Sequence, residues 1–104
     1  MNKRIATYVG IDKEVEVGMS AIAKVIRDAW VFGILEETET CGGWNFARID
    51  DLVDKVNKEW DKYGCLVSQL PTELREKHKR IHDKAIAEAK SLGWIGEVET
   101  DDEG

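Results

Sequence analysis

The sequence predicts a mainly α fold: a three-helix antiparallel bundle with a short N-terminal β segment and a disordered acidic tail. Three observations lead there. Phe46, Ile49, Val53, Val56, Trp60 and Tyr63 recur at alternating steps of three and four, and only an α-helix gathers those six side chains on one stripe. Two further segments open on helix-start residues, Ser20 and Pro71, and the second of them also has a stop, Gly93. Finally, 42% hydrophobic and 35% charged residues describe a folded globular chain rather than a disordered one.

A chain of 104 residues supports one modest core. The expected division is one helical domain over residues 1–96 and a tail over 97–104. Near the start, Ile5, Thr7 and Val9 alternate and predict a first strand. Val15 and Val17 alternate with Glu14 and Glu16, which leaves residues 12–19 open between a second strand and the start of a helix.

The first helix is expected over 20–35. Ser20 is its N-cap, and Ile22, Val25, Ile26, Ala29 and Trp30 follow at helical spacing. The run Ala29–Leu35 is apolar all round, as a segment buried on several sides or lying in a subunit interface would be. Residues 36–43 form a connector. The second helix is expected over 45–63, with Asn45 as N-cap and Trp44 placed to staple onto Ile49. Asp50 and Asp51 suit its positive end, Lys58 and Lys62 its negative end, and Gly64 the position after it.

Pro71 opens a third helix at its first position, over 71–92, with Leu74, Ile81, Ala85, Ile86, Ala89 and Leu92 as its apolar positions and Gly93 as its stop. Trp94 and Ile95 are expected to fold back over its last turn. The four tryptophans, at 30, 44, 60 and 94, are read as core anchors. Residues 97–104 carry five acids and no base, the composition of a disordered tail.

A net charge of −6 sets a mean field that repels nucleic acid and acidic membranes. Lys3 and Arg4 have no long apolar stretch behind them, so no signal peptide is expected. The Ala29–Leu35 run falls far short of the roughly 20 residues that span a bilayer. The expected address is the cytoplasm, where Cys41 and Cys65 are reduced; their spacing is not that of a metal knuckle.

Four groups of residues bear on chemistry. His78 and His82 stand four apart in the third helix, on one face, where two imidazoles can share a metal. Two ligands do not make a site, no third is fixed by sequence, and Lys79 stands where a zinc protease would carry Glu. The His82-Asp83 pair resembles the doublet of HD-domain phosphohydrolases, which need more ligands over a longer helical chain.

The second group is acidic. Asp50, Asp51 and Asp54 have the form acid-acid-x-x-acid, and Glu73 and Glu76 the form acid-x-x-acid. On facing helices such carboxylates can hold Mg²⁺, which prefers oxygen ligands. Over residues 50–76 this resembles the MazG-type all-α nucleotide pyrophosphohydrolases, whose pattern is Glu-Glu-x-x-Glu followed by Glu-x-x-Asp. The resemblance implies Mg²⁺-dependent cleavage of a nucleoside triphosphate. The simpler reading of these residues is helix-dipole complementation and a solvated face.

The third group is basic: Arg75, Lys77, Lys79, Arg80 and Lys84 give the third helix a local positive excess. A helix presented to DNA would use such residues. Glu76, Asp83 and Glu88 interrupt them, which suits a charged solvent face with internal ion pairs. The last group is the thiols. Glu36, Glu37 and Glu39 raise the pKa of the Cys41 thiol, the wrong direction for a nucleophile, and Cys65 reads as a small core residue.

The reading that follows is a small cytosolic helical protein acting by protein–protein contact, expected as a homodimer through Trp30, Phe32, Ile34 and Leu35, with no catalytic activity and no cofactor. Two others stand beside it: a Mg²⁺-dependent hydrolase using the carboxylate set, and a nucleic-acid-binding regulator using the third helix.

Overall fold

The computed structural model describes residues 7–94. Three helices dominate: α1 over Ala21–Val31, α2 over Phe46–Asp61 and α3 over Thr72–Ser91. Short 3₁₀ turns at Ile11–Lys13 and Val67–Gln69 precede α1 and α3. The Ser20 and Asn45 side chains cap α1 and α2, accepting from the backbone N–H of Ala23 and Arg48 at 3.0 and 2.9 Å. Pro71 is itself the cap of α3, so the helix begins one residue later than expected: its ψ of 155° is extended and its carbonyl already accepts from the Arg75 N–H.

The first helix stops sooner than its apolar run suggests. Gly33 adopts φ 75°, its N–H returns to the Trp30 carbonyl, and the Ile34 N–H returns to Ala29. This Schellman motif satisfies carbonyls that would otherwise be orphaned. Gly64 and Gly93 end α2 and α3 in the same way. Phe32, Ile34 and Leu35 therefore leave α1 in the turn beyond it, and all three are half-buried against the core.

α1 is the helix against which both others pack. Its direction relative to α2 corrects the antiparallel expectation. Asp28 meets Trp60, and Phe32 meets Trp60 and Tyr63, so the C-terminal ends of α1 and α2 lie together. At the other end Tyr8 ties both starts, bonding Glu14 through its hydroxyl and the Trp44 carbonyl through its N–H. The connection 32–45 makes this possible. An 11-residue helix is only about 16 Å long, and a connection of that reach can carry the chain back along it. α3 runs the opposite way: His78 lies at the Asp28 end, while Glu88 and Leu92 share a cavity with Ile11 and Gly18, which precede α1.

The core is built from Ala23, Ile26 and Ala29 of α1 and Ile49, Leu52 and Val56 of α2, with Tyr8, Ile11 and Cys41 closing it. Leu52 is core and Phe46 is exposed, so the buried stripe of α2 is displaced from its expected line. None of the four tryptophans is fully buried. The indole N–H explains two of them, since it needs a partner at the core's edge. Trp30 donates to the Glu39 carbonyl and Trp60 to Asp28. Trp44 packs against the core cluster that holds Ile49 and lies under the Arg48 guanidinium, 3.7 Å from the ring centre.

Of the expected first strand, Ile5 lies outside the described residues. Thr7 forms a single antiparallel bridge with Asn45. Residues 12–19 are neither strand nor helix but the 3₁₀ turn and further turns. The Ile95 contact and the acidic tail lie outside the described residues. No helix among those described is long and apolar enough to cross a membrane.

Candidate metal centre

His78 and His82 meet a third group that comes from α1. Asp28 Oδ1 lies 2.9 Å from His82 Nε2 and 3.9 Å from His78 Nε2. The two imidazoles are 4.3 Å apart between ring centres. Among the described residues, these three form the one group of three or more His, Cys, Asp or Glu side chains with ligand atoms within 4.8 Å of one another. Each is about four-fifths buried, with side-chain exposures of 18–20%.

Local structure fixes each member. The four-residue spacing in α3 stacks the imidazoles one turn apart on the face toward α1. Asp28, in the last turns of α1, projects between α2 and α3. Its second oxygen accepts the Trp60 indole N–H at 3.1 Å. That bond leaves Oδ1 aimed at the histidines. Trp60 also contacts His78 edge-to-face at 6.0 Å and Phe32 at 5.2 Å, so an aromatic wall closes one side.

The electrostatics suit a cation ligand set. Burial, reinforced by neighbouring His82, pushes the His78 pKa below its ordinary value, with Asp28 and Asp83 opposing. His78 is thus neutral at pH 7, the form that ligates metals. A carboxylate only accepts, so in the metal-free arrangement His82 donates its Nε2–H to Asp28. Tetrahedral coordination with bonds of about 2.0–2.1 Å puts ligand atoms roughly 3.3 Å apart. The observed 2.9 and 3.9 Å bracket that spacing.

The other residues singled out by sequence sit elsewhere. Asp50, Asp51, Asp54, Glu73 and Glu76 are exposed and belong to no such ligand group. The bases of α3 are largely paired. Arg80 forms a two-pronged bond to Glu37 at 2.9 and 3.2 Å, Lys77 approaches Glu37 at 3.9 Å, and Lys79 pairs with Asp83 at 2.7 Å. Arg75 donates to the Leu70 carbonyl at 3.3 Å. Trp30, Phe32, Ile34 and Leu35 are half-buried. Cys41 is fully buried and its thiol is pushed up to about 11 by burial and Glu39. Cys65 is exposed, not core.

Asp28 is the residue that sequence reasoning missed. It stands 50 positions before His78 on a different helix, so no spacing motif reaches it. A signal was present: Arg27-Asp28 interrupts the apolar face of α1 between Ile26 and Ala29, and charges placed there need partners. No protein-family model matches the chain, and no curated protein or solved structure is significantly similar to it.

Proposed function

We propose that the protein binds a divalent transition metal, with zinc as the reference ion, through Asp28, His78 and His82. The observation that carries this reading is the convergence of two neutral-capable imidazoles and one carboxylate from two helices, with the carboxylate held by Trp60. Two nitrogens and one oxygen suit zinc and its first-row neighbours rather than Mg²⁺ or Ca²⁺. Three protein ligands leave a fourth position, and the partial exposure of all three gives water or a substrate access to it. The test is titration of metal-free protein with Co²⁺. Visible d–d bands of a tetrahedral ion, lost in His78→Ala, support the site, and a spectrum like that of aqueous Co²⁺ refutes it.

A second reading is self-association through Trp30, Phe32, Ile34 and Leu35. It is favoured by an open hollow of about 540 Å³ beside the end of α1, lined by Trp30, Ile34 and Leu35 among others. Light scattering on wild type and Phe32→Glu tests it. A wild-type monomer at all concentrations removes it.

A further inference from the structure

Arg27 precedes the metal-binding Asp28 in α1 but points elsewhere. Only 7% of its surface is exposed, making it the one charged residue in the buried set among the described residues. Among the described residues its guanidinium has no hydrogen bond and no ion pair within 4.0 Å. The nearby acids are engaged or more distant: Glu14 accepts from the Tyr8 hydroxyl and from Ser20, and Asp28 from Trp60 and His82. A buried ion left unpaired is strongly unfavourable, and proteins keep one where it serves something outside the fold.

What lies before Arg27 is a cavity of about 460 Å³ between α1, α3 and the turns at 11–18, a volume suited to a small organic molecule. Arg27 belongs to its deep part with Ile11, Ile81 and Ala85, all buried. Trp30 and Leu92 add apolar wall. Nearer the surface, Arg80 is already held by Glu37, and Asp12, Lys84 and Glu88 complete the charged lining. Asp28, His78 and His82 are not among the lining residues, so this site is separate from the metal centre.

We propose that this cavity binds a small monocarboxylate with an apolar body, its carboxylate paired with the Arg27 guanidinium. The planar fork of five N–H donors matches a carboxylate with two parallel bonds. The apolar deep wall takes the hydrocarbon part. The acids that line the cavity, half-buried Glu14 as well as Asp12, Glu37 and Glu88, disfavour a multiply charged anion such as phosphate. Arginine keeps its proton in proteins, so Arg27 lines the cavity as a cation.

The test uses hexanoate, with 1-hexylamine and inorganic phosphate as comparisons, read by the indole N–H signals in a ¹H–¹⁵N spectrum. The Trp30 signal should move saturably with hexanoate, while hexylamine and phosphate leave it in place. Arg27→Met should weaken the hexanoate response by at least about tenfold. Without ligand, Arg27→Met should melt at or above the wild-type temperature, because an apolar residue of similar length removes an unpaired buried charge. Three results overturn the proposal: no Trp30 response up to about 10 mM hexanoate, where even millimolar binding shows; a response to phosphate equal to that of hexanoate; or a ligand-free Arg27→Met protein that melts well below wild type, which would make Arg27 a paired structural residue.

Discussion

Zinc should stabilise this protein, and Asp28→Asn should remove most of that effect. The spacings from Asp28 Oδ1 to the two imidazole nitrogens lie within about 1 Å of the tetrahedral value, so little folding energy opposes closing them on a metal. Zinc held at a hundredfold over its dissociation constant adds about 2.7 kcal/mol. For a domain of this size each kcal/mol corresponds to roughly 4–8 °C, giving a rise of about 10–20 °C. Asparagine keeps the shape and can still accept the Trp60 N–H, but it loses the charge that His82 bonds. The ligand-free variant should therefore lose about 1.5–3 kcal/mol, the value of a hydrogen bond to a charged group. Differential scanning calorimetry with and without zinc separates the two effects. Wild type that gains nothing from zinc refutes the reasoning. So does an equal gain in wild type, Asp28→Asn and His78→Ala, since that would place the metal elsewhere.

Other outcomes follow from the same structure. The zinc-induced rise should shrink as pH falls below about 6.5, because protons compete for imidazole nitrogens, and calorimetry from pH 8 to 5 reads it. Without metal, the depressed His78 pKa acts in the same direction. Its contribution is complete above the ordinary histidine value and is lost as pH falls through the folded value, so a metal-free protein more stable at pH 5 than at pH 7 would contradict the burial of His78. Ile26→Ala removes a fully buried side chain at the α1–α2 contact and should cost about 2–5 kcal/mol in urea denaturation; an unchanged midpoint would deny that contact. Gly33→Ala meets no neighbouring atom within 4 Å, so it should cost only the left-handed strain, about 1–2 kcal/mol. Thiol labelling at pH 8 should modify Cys65 quickly and Cys41 only on unfolding, since Cys41 is buried and its pKa is pushed up to about 11.

The sequence by itself determined the three helices and most of their ends. Capping by Ser20 and Asn45, and termination by Gly64 and Gly93, are local: the cap side chain bonds a backbone group three residues away, and the glycine takes a conformation that other residues adopt only under strain. The same locality placed His78 and His82 on one face. Where two local signals conflicted, the stronger won: the hydrophobic run favoured helix through Leu35, but Gly33 closed a Schellman motif after Val31. Tertiary structure alone decided which faces meet. Hydrophobic periodicity shows that a stripe is buried but not against what, so it left the direction of α2 free, and the long connection after α1 allowed the parallel arrangement. Only that arrangement brings Trp60 and Asp28 together, and only the return of α3 adds the histidines. The proposed metal centre is therefore a property of three helices, because a ligand set needs distances of a few ångströms that sequence separation does not encode. Arg27 follows the same logic: its charge is plain in the sequence, but its burial and its cavity exist only once α3 lies across α1.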